Sequence, residues 1–78
     1  MRQKELQCII TFHTTTEAML FEDLAKAAGF MGRIIPVPRE ITAGCGLSWK
    51  DDVRARGDLE RLLAEKSLGF DQIYELMI

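Results

Sequence analysis

The chain has 78 residues, of which 47% are apolar and 28% charged, with a formal net charge of −2. That length is near the limit at which one core supports folding without a staple, so a single domain over residues 1–78 is expected, either as a compact two-layer fold or as an oligomer. The slight acidity excludes the strong positive field that steers nucleic-acid binders, and no apolar run approaches a membrane span, so neither nucleic acid nor membrane is an expected partner.

The opening Met1-Arg2-Gln3-Lys4-Glu5 lacks the apolar stretch of a secretory signal, and a cytoplasmic location is the expectation. A first strand is predicted over Gln7 to Phe12, where Leu6, Cys8, Ile10 and Phe12 alternate onto one face. Thr14 and Glu17 then have the spacing of a capping box, which predicts a helix from Thr15 to Ala28. Its apolar positions Ala18, Phe21, Leu24, Ala25 and Ala28 recur every three or four residues, and Gly29 supplies the stop. A second strand over Arg33 to Val37 contains Pro36 and precedes Pro38, and the missing ladder donor places it at a sheet edge. Leu47 to Lys50 reads as a short third strand. Asp51 to Gly57 reads as a polar connection in which Asp51 or Asp58 caps the next helix. That helix carries Leu59, Leu62 and Leu63 on one face and ends near Gly69. Phe70 to Ile78, rich in β-formers, makes a fourth strand.

The order is βαββαβ, the pattern of the α+β ferredoxin-like fold, a two-layer sandwich with an antiparallel sheet. Each βαβ unit is right-handed, so the first strand lies beside and antiparallel to the third. That topology brings His13, the helix start at Thr14 to Thr16, and the loop carrying Arg39 and Cys45 to one edge of the sheet.

The triplet Gly44-Cys45-Gly46 puts one thiol in a turn whose flanking glycines can present sulfur to a partner. Cys8, alternating into the strand face, reads instead as a small core hydrophobe. A helix N-terminus, Arg39 or a protonated His13 would lower the Cys45 thiol pKa, and would also hold a terminal persulfide or selenide anion. Plainer readings stand beside each of these. Gly-Cys-Gly also fits a tight hairpin whose cysteine fills an apolar gap, His13 a surface or cap residue, Arg39 an exposed pair with Glu40, and Thr14 a helix cap alone. Trp49, Met31, Phe30 and Tyr74 are expected in the core rather than on a partner surface. Asp51, Asp52 and Asp58 match no calcium loop or acid/base pair and read as a solvated loop. Two cysteines and one histidine fall short of a structural zinc site, and neither metal nor cofactor is expected.

The stretch from Ile10 to Ala18, then Ile35-Pro36-Val37-Pro38-Arg39-Glu40-Ile41, then Cys45-Gly46-Leu47, resembles the selenium/sulfur carrier protein-like family of small bacterial domains. The resemblance covers nearly the whole chain and is most specific in the Pro-Arg-Glu stretch and the Cys-Gly pair. It implies a non-catalytic carrier that accepts a persulfide or perselenide on Cys45 from a cysteine desulfurase or selenocysteine lyase and delivers it to an acceptor enzyme. The Cys-Pro-x-Pro motif of other sulfur-relay carriers is absent, since glycine follows Cys45 and both prolines lie upstream. The alternative class is a small interaction or metabolite-binding module, a homodimer through edge strands included, with a structural or redox-sensing cysteine. A thiol-dependent enzyme is the weakest of the three, because no base other than His13 accompanies the thiol.

Overall fold

The computed structural model describes residues 4–41 and 46–78. In chain order it contains β1 (Leu6–Thr11), α1 (Thr15–Ala27), β2 (Arg33–Pro36), β3 (Leu47–Asp52), a single 3-10 turn (Val53–Ala55), α2 (Arg56–Glu65) and β4 (Ile73–Met77). The strands form one antiparallel sheet in the order β2-β3-β1-β4. This is the ferredoxin-like arrangement, with β1 beside β3 and the proline-bearing β2 at an edge, as its missing donor requires.

The register of β1 against β3 pairs Cys8 with Asp51 and Ile10 with Trp49, and β1 against β4 pairs Cys8 with Glu75 and Ile10 with Ile73. Because side chains alternate across a strand, Cys8, Ile10, Trp49 and Asp51 share a face. On that face Cys8, Ile10, Phe12 and Trp49 form one buried cluster with Ala18, Phe21 and Ala25 of α1 and Leu59, Leu62 and Leu63 of α2. Phe21 stands at the centre, 5.6 Å from the Phe12 ring and 5.4 Å edge-on from Trp49. Such aromatic pairs add about 0.5–1.5 kcal/mol to the burial of each ring.

Local chemistry sets the helix ends. The Thr14 hydroxyl accepts from the Glu17 N–H at 3.1 Å and caps α1, a contact of about 1 kcal/mol. The Glu17 carboxylate accepts from the N–H of His13 at 2.8 Å, one residue before the cap, so the predicted box closes one position early. At the other end Phe30 N–H donates to Ala25 O and Gly29 N–H to Lys26 O, the paired bonds of a Schellman turn. The second helix stops at Glu65, four residues short of the expected end near Gly69. Leu68 N–H donates to Leu63 O, and Ser67 takes the left-handed position, φ 51°, that glycine usually fills.

β3 is two residues longer than expected, because β1 continues far enough to pair Asp51 and Asp52. Asp51 and Asp52 are therefore strand residues rather than parts of a solvated loop. Neither Asp51 nor Asp58 is the cap. Asp52 accepts from the Arg54 N–H at 2.8 Å and caps the 3-10 turn, and its bonds to Arg54 hold its carboxyl down at about 2. The final strand starts at Ile73, three residues after the expected Phe70, because Thr11 and the 71–72 backbone first form a knot. Asp71 N–H donates to Thr11 O at 2.7 Å, and Gln72 N–H to the Thr11 hydroxyl at 3.1 Å.

Gly32 passes flat against β3. A Cβ there would overlap Lys50 O and stand 2.7 Å from Trp49 Nε1 and 2.8 Å from Asp51 Oδ2. Two of these neighbours cannot move without breaking the buried Trp49–Asp51 contact. We expect Gly32→Ala to lower stability in urea unfolding by about 1–3 kcal/mol. Ser67→Gly should raise it by about 1 kcal/mol, since only the left-handed backbone is relieved.

Candidate functional site

The C-terminal ends of β1 and β2, the N-terminal end of β3 and the start of α1 meet at one end of the sheet. Thr11 pairs with Ser48 and Pro36 with Leu47. Val37 N–H donates to Gly46 O at 3.0 Å, closing the base of the β2–β3 connection. Gly46 has φ +81°, a backbone state that an L side chain would strain, so this corner requires glycine. Gly44 and Cys45 lie outside the described residues.

Ile41 N–H donates to Pro38 O at 2.9 Å, which makes Pro38-Arg39-Glu40-Ile41 a hydrogen-bonded turn anchored by the buried Ile41. Arg39 occupies its second position and is exposed. Among the described residues its guanidinium has no ion-pair partner, Glu40 included.

His13 takes a different direction. Its Nδ1 lies 3.3 Å from Glu17 Oε1 and its Nε2 3.6 Å from Asp71 Oδ1, so both ring nitrogens face carboxylates. Asp71 leads into β4, on the opposite side of β1 from β3 and the connection that carries Arg39. His13 and Arg39 thus share an end of the sheet but engage different flanks of it. Thr14 spends its hydroxyl on the Glu17 N–H, the capping role. The Glu17 carboxylate already stands at the α1 N-terminus, where a bound anion would otherwise sit.

The other thiol is fully accounted for. Cys8 is wholly buried between the helices and the sheet, and desolvation pushes its thiol up to about 11. Arg56 nearby acts against that rise but is outweighed. A thiol so placed is neither nucleophilic nor reachable. Among the described residues no three His, Cys, Asp or Glu side chains converge as metal ligands, and no helix is long and apolar enough to cross a membrane.

A model of the family described as "Putative Se/S carrier protein-like" matches residues 7–75. The chain belongs to this family. No curated protein and no solved structure matches it. The family match spans every strand and both helices of the fold, from inside β1 to inside β4.

The sequence reading put Asp51 in a solvated loop and gave it no chemistry. Asp51 is 7% exposed, with Oδ2 accepting from the Trp49 indole N–H at 3.1 Å and Oδ1 from the Asp52 N–H at 2.8 Å. The signal was the two-residue period: Leu47, Trp49 and Asp51 alternate onto the helix-facing side once β3 is allowed its full length. Met31 is the converse case. It is 93% exposed rather than part of the core, whereas Trp49 is wholly buried and Phe30 packs against the core.

The raised Cys8 thiol gives a pH dependence with a definite sign. The folded state holds this proton above the ordinary 9.0, so the stabilisation is complete below that value and is lost as pH rises towards about 11. Urea midpoints should therefore fall more steeply through that window for the wild type than for Cys8→Ala. Iodoacetamide at mildly alkaline pH should leave Cys8 unmodified in the folded protein and label it after denaturation, as read by peptide mass mapping.

Proposed function

We propose that this protein is a carrier of sulfur or selenium that holds the chalcogen as a persulfide or perselenide on Cys45. The observation that carries the reading is the family match over residues 7–75, joined to the burial of Cys8, which leaves Cys45 as the thiol available for loading. The donor is a cysteine desulfurase or selenocysteine lyase, the recipient an acceptor enzyme, and the setting the cytoplasm.

Loading is an exchange without net oxidation. The Cys45 thiolate attacks the terminal sulfur of the donor's enzyme-bound persulfide, a new Sγ–S bond forms, the donor's own S–S bond breaks, and the donor cysteine leaves as a thiolate. Delivery repeats the exchange with an acceptor nucleophile in the attacking role. Turnover belongs to the partners, and the domain supplies an accessible thiol and a docking surface. No cofactor enters either step.

Arg39 is the cation best suited to the anionic terminal chalcogen. It is exposed and has no ion-pair partner among the described residues, whereas His13 faces two carboxylates and the α1 N-terminus already holds one. Gly46 supports the reading by its positive φ next to Cys45 in the chain, and the sequence places a second glycine, Gly44, on the other side. The second reading, an interaction module pairing through sheet edges, draws on β2 and β4 both being edge strands, with Met77 half exposed on β4.

Intact-protein mass spectrometry with peptide mapping, after incubation with a cysteine desulfurase and cysteine or with a selenocysteine lyase and selenocysteine, tests the carrier. The expected result is one chalcogen adduct on Cys45, none on Cys8, and loss of the adduct in folded Cys45→Ala. Arg39→Ala should slow loading by about tenfold, the scale of one charge-assisted contact, without changing the thermal midpoint. Wild-type loading in Cys45→Ala, or oligomerisation unchanged in Cys45→Ser with no adduct from either donor, would replace the carrier with the interaction module.

A further inference from the structure

The two edges of the sheet differ in how far they are closed to further pairing. β2 begins at the exposed Arg33 and ends at Pro36, which lacks a ladder donor. β4, Ile-Tyr-Glu-Leu-Met, has no proline and no basic residue. Between β4 and α2 lies a cavity of about 400 Å³, lined by Leu63, Ala64, Leu68, Phe70 and Ile73 with Glu60. We infer that the open edge of β4 pairs with an extended segment of a partner protein whose sequence reads apolar-x-basic-x-apolar.

The ladder with β1 fixes which backbone groups of β4 are free. Glu5 N–H donates to Ile78 O at 3.2 Å, Ile78 N–H to Glu5 O at 3.0 Å, and Thr11 N–H to Gln72 O at 2.9 Å. Bonded positions of an antiparallel pair recur every second residue, so Tyr74 and Leu76 also turn their N–H and C=O groups to β1. Ile73, Glu75 and Met77 turn theirs outward, and among the described residues these groups have no hydrogen-bond partner. A row of such groups is a template for one more strand.

The register also selects the segment. Ile73, Glu75 and Met77 lie opposite Ile10, Cys8 and Leu6, so their side chains stand on the helix side, and residues directly opposite them on an added strand stand there too. Opposite Ile73 the cavity takes a large apolar side chain. Opposite Met77, which is 55% exposed beside Leu6 at 41%, a second apolar side chain covers surface now in water. Between them Glu75 calls for a cation. Arg56 bonds Glu75 at 2.8 Å and reaches Glu60 at 3.5 Å, one guanidinium for two carboxylates, which leaves negative charge uncompensated at the edge. The same charge counts against a second copy of this chain, because the two-fold pairing that sets Ile73 against Met77 sets Glu75 against Glu75. β4 is the edge remote from β2, so the inference goes beyond the carrier reading and does not depend on what Cys45 holds.

The test is a titration of the full-length protein with the capped peptide Thr-Leu-Thr-Lys-Thr-Leu-Thr, followed by 15N correlation spectra. Thr-Leu-Thr-Glu-Thr-Leu-Thr and Thr-Ser-Thr-Lys-Thr-Ser-Thr are the controls for the charge and for the apolar positions. The expected result is a set of saturable shifts, largest at the amides of Ile73, Glu75 and Met77, with either control binding about tenfold or more weakly, the scale of one charged contact or of two buried apolar side chains. Glu75→Lys should reverse the order, so that the glutamate peptide binds more tightly than the lysine peptide.

Should Glu75→Lys unfold, two further variants serve in its place. Ala64→Gln, an exposed change that intrudes on the cavity, and Met77→Pro, which removes an outward N–H but no bond to β1, should each weaken binding of the lysine peptide by about tenfold. Sedimentation of the protein alone checks the competing occupant. A dimer that Met77→Pro dissociates would assign the edge to a second copy and overturn the inference. So would the absence of a saturable shift, shifts that map away from β4, equal binding of the lysine and glutamate peptides, or unaltered affinity in the folded variants. No readout here uses a chalcogen donor, so failure of this inference and failure of Cys45 loading are told apart.

Discussion

Five residue pairs hold β1 to β3, from Gln7 opposite Asp52 to Thr11 opposite Ser48, and the rest of the molecule is arranged around that register. It sets Ile10 against Trp49 beneath Phe21, and Cys8 against Asp51 at the margin of the same face. A slip of one residue would turn the whole helix-facing row to the other side of the sheet and disperse the apolar cluster. The register also fixes the two ends of β3: one joins the thiol-bearing connection and the other carries the buried carboxylate.

Burial decides what kind of group Cys8 is. Cys8 loses water on every side, and the cost of placing a negative charge there exceeds the help from Arg56. It behaves as a small apolar residue that happens to contain sulfur. Cys45 belongs to a stretch bounded by a hydrogen-bonded turn on one side and a glycine of positive φ on the other.

Charge is distributed with similar economy. At the thiol end the carboxylates of Glu17 and Asp71 are occupied with His13 and with backbone or hydroxyl donors, while Arg39 stands apart from them on its turn. Among the described residues that guanidinium, on the β2–β3 side, has no ion-pair partner. At the opposite end the balance is reversed, where Asp51, Asp58 and Glu65 line a cavity with one arginine, Arg61, already engaged by Asp58. One small domain thus carries an exposed guanidinium on the β2–β3 connection and a mostly acidic lining at the other end of β3.

The sequence by itself determined the order of the elements, the ferredoxin-like class, the edge position of β2, the cap at Thr14, the burial of Cys8 and the family. The family rests on the resemblance of whole stretches; the others follow from short-range chemistry: a two-residue or 3.6-residue period, a proline without a donor, a hydroxyl three residues before a free amide. Tertiary pairing alone decided where β3 ends, because Asp51 and Asp52 are poor strand formers held in place by Cys8 and Gln7 across the ladder. It likewise decided that α2 stops at a serine, that His13 turns to Asp71 across 58 positions of chain rather than to Arg39, and that Asp51 lies under Trp49 instead of in water. Those outcomes depend on which distant residue supplies a hydrogen-bond partner or excludes solvent, and no local pattern encodes the identity of a neighbour that arrives only when the sheet closes.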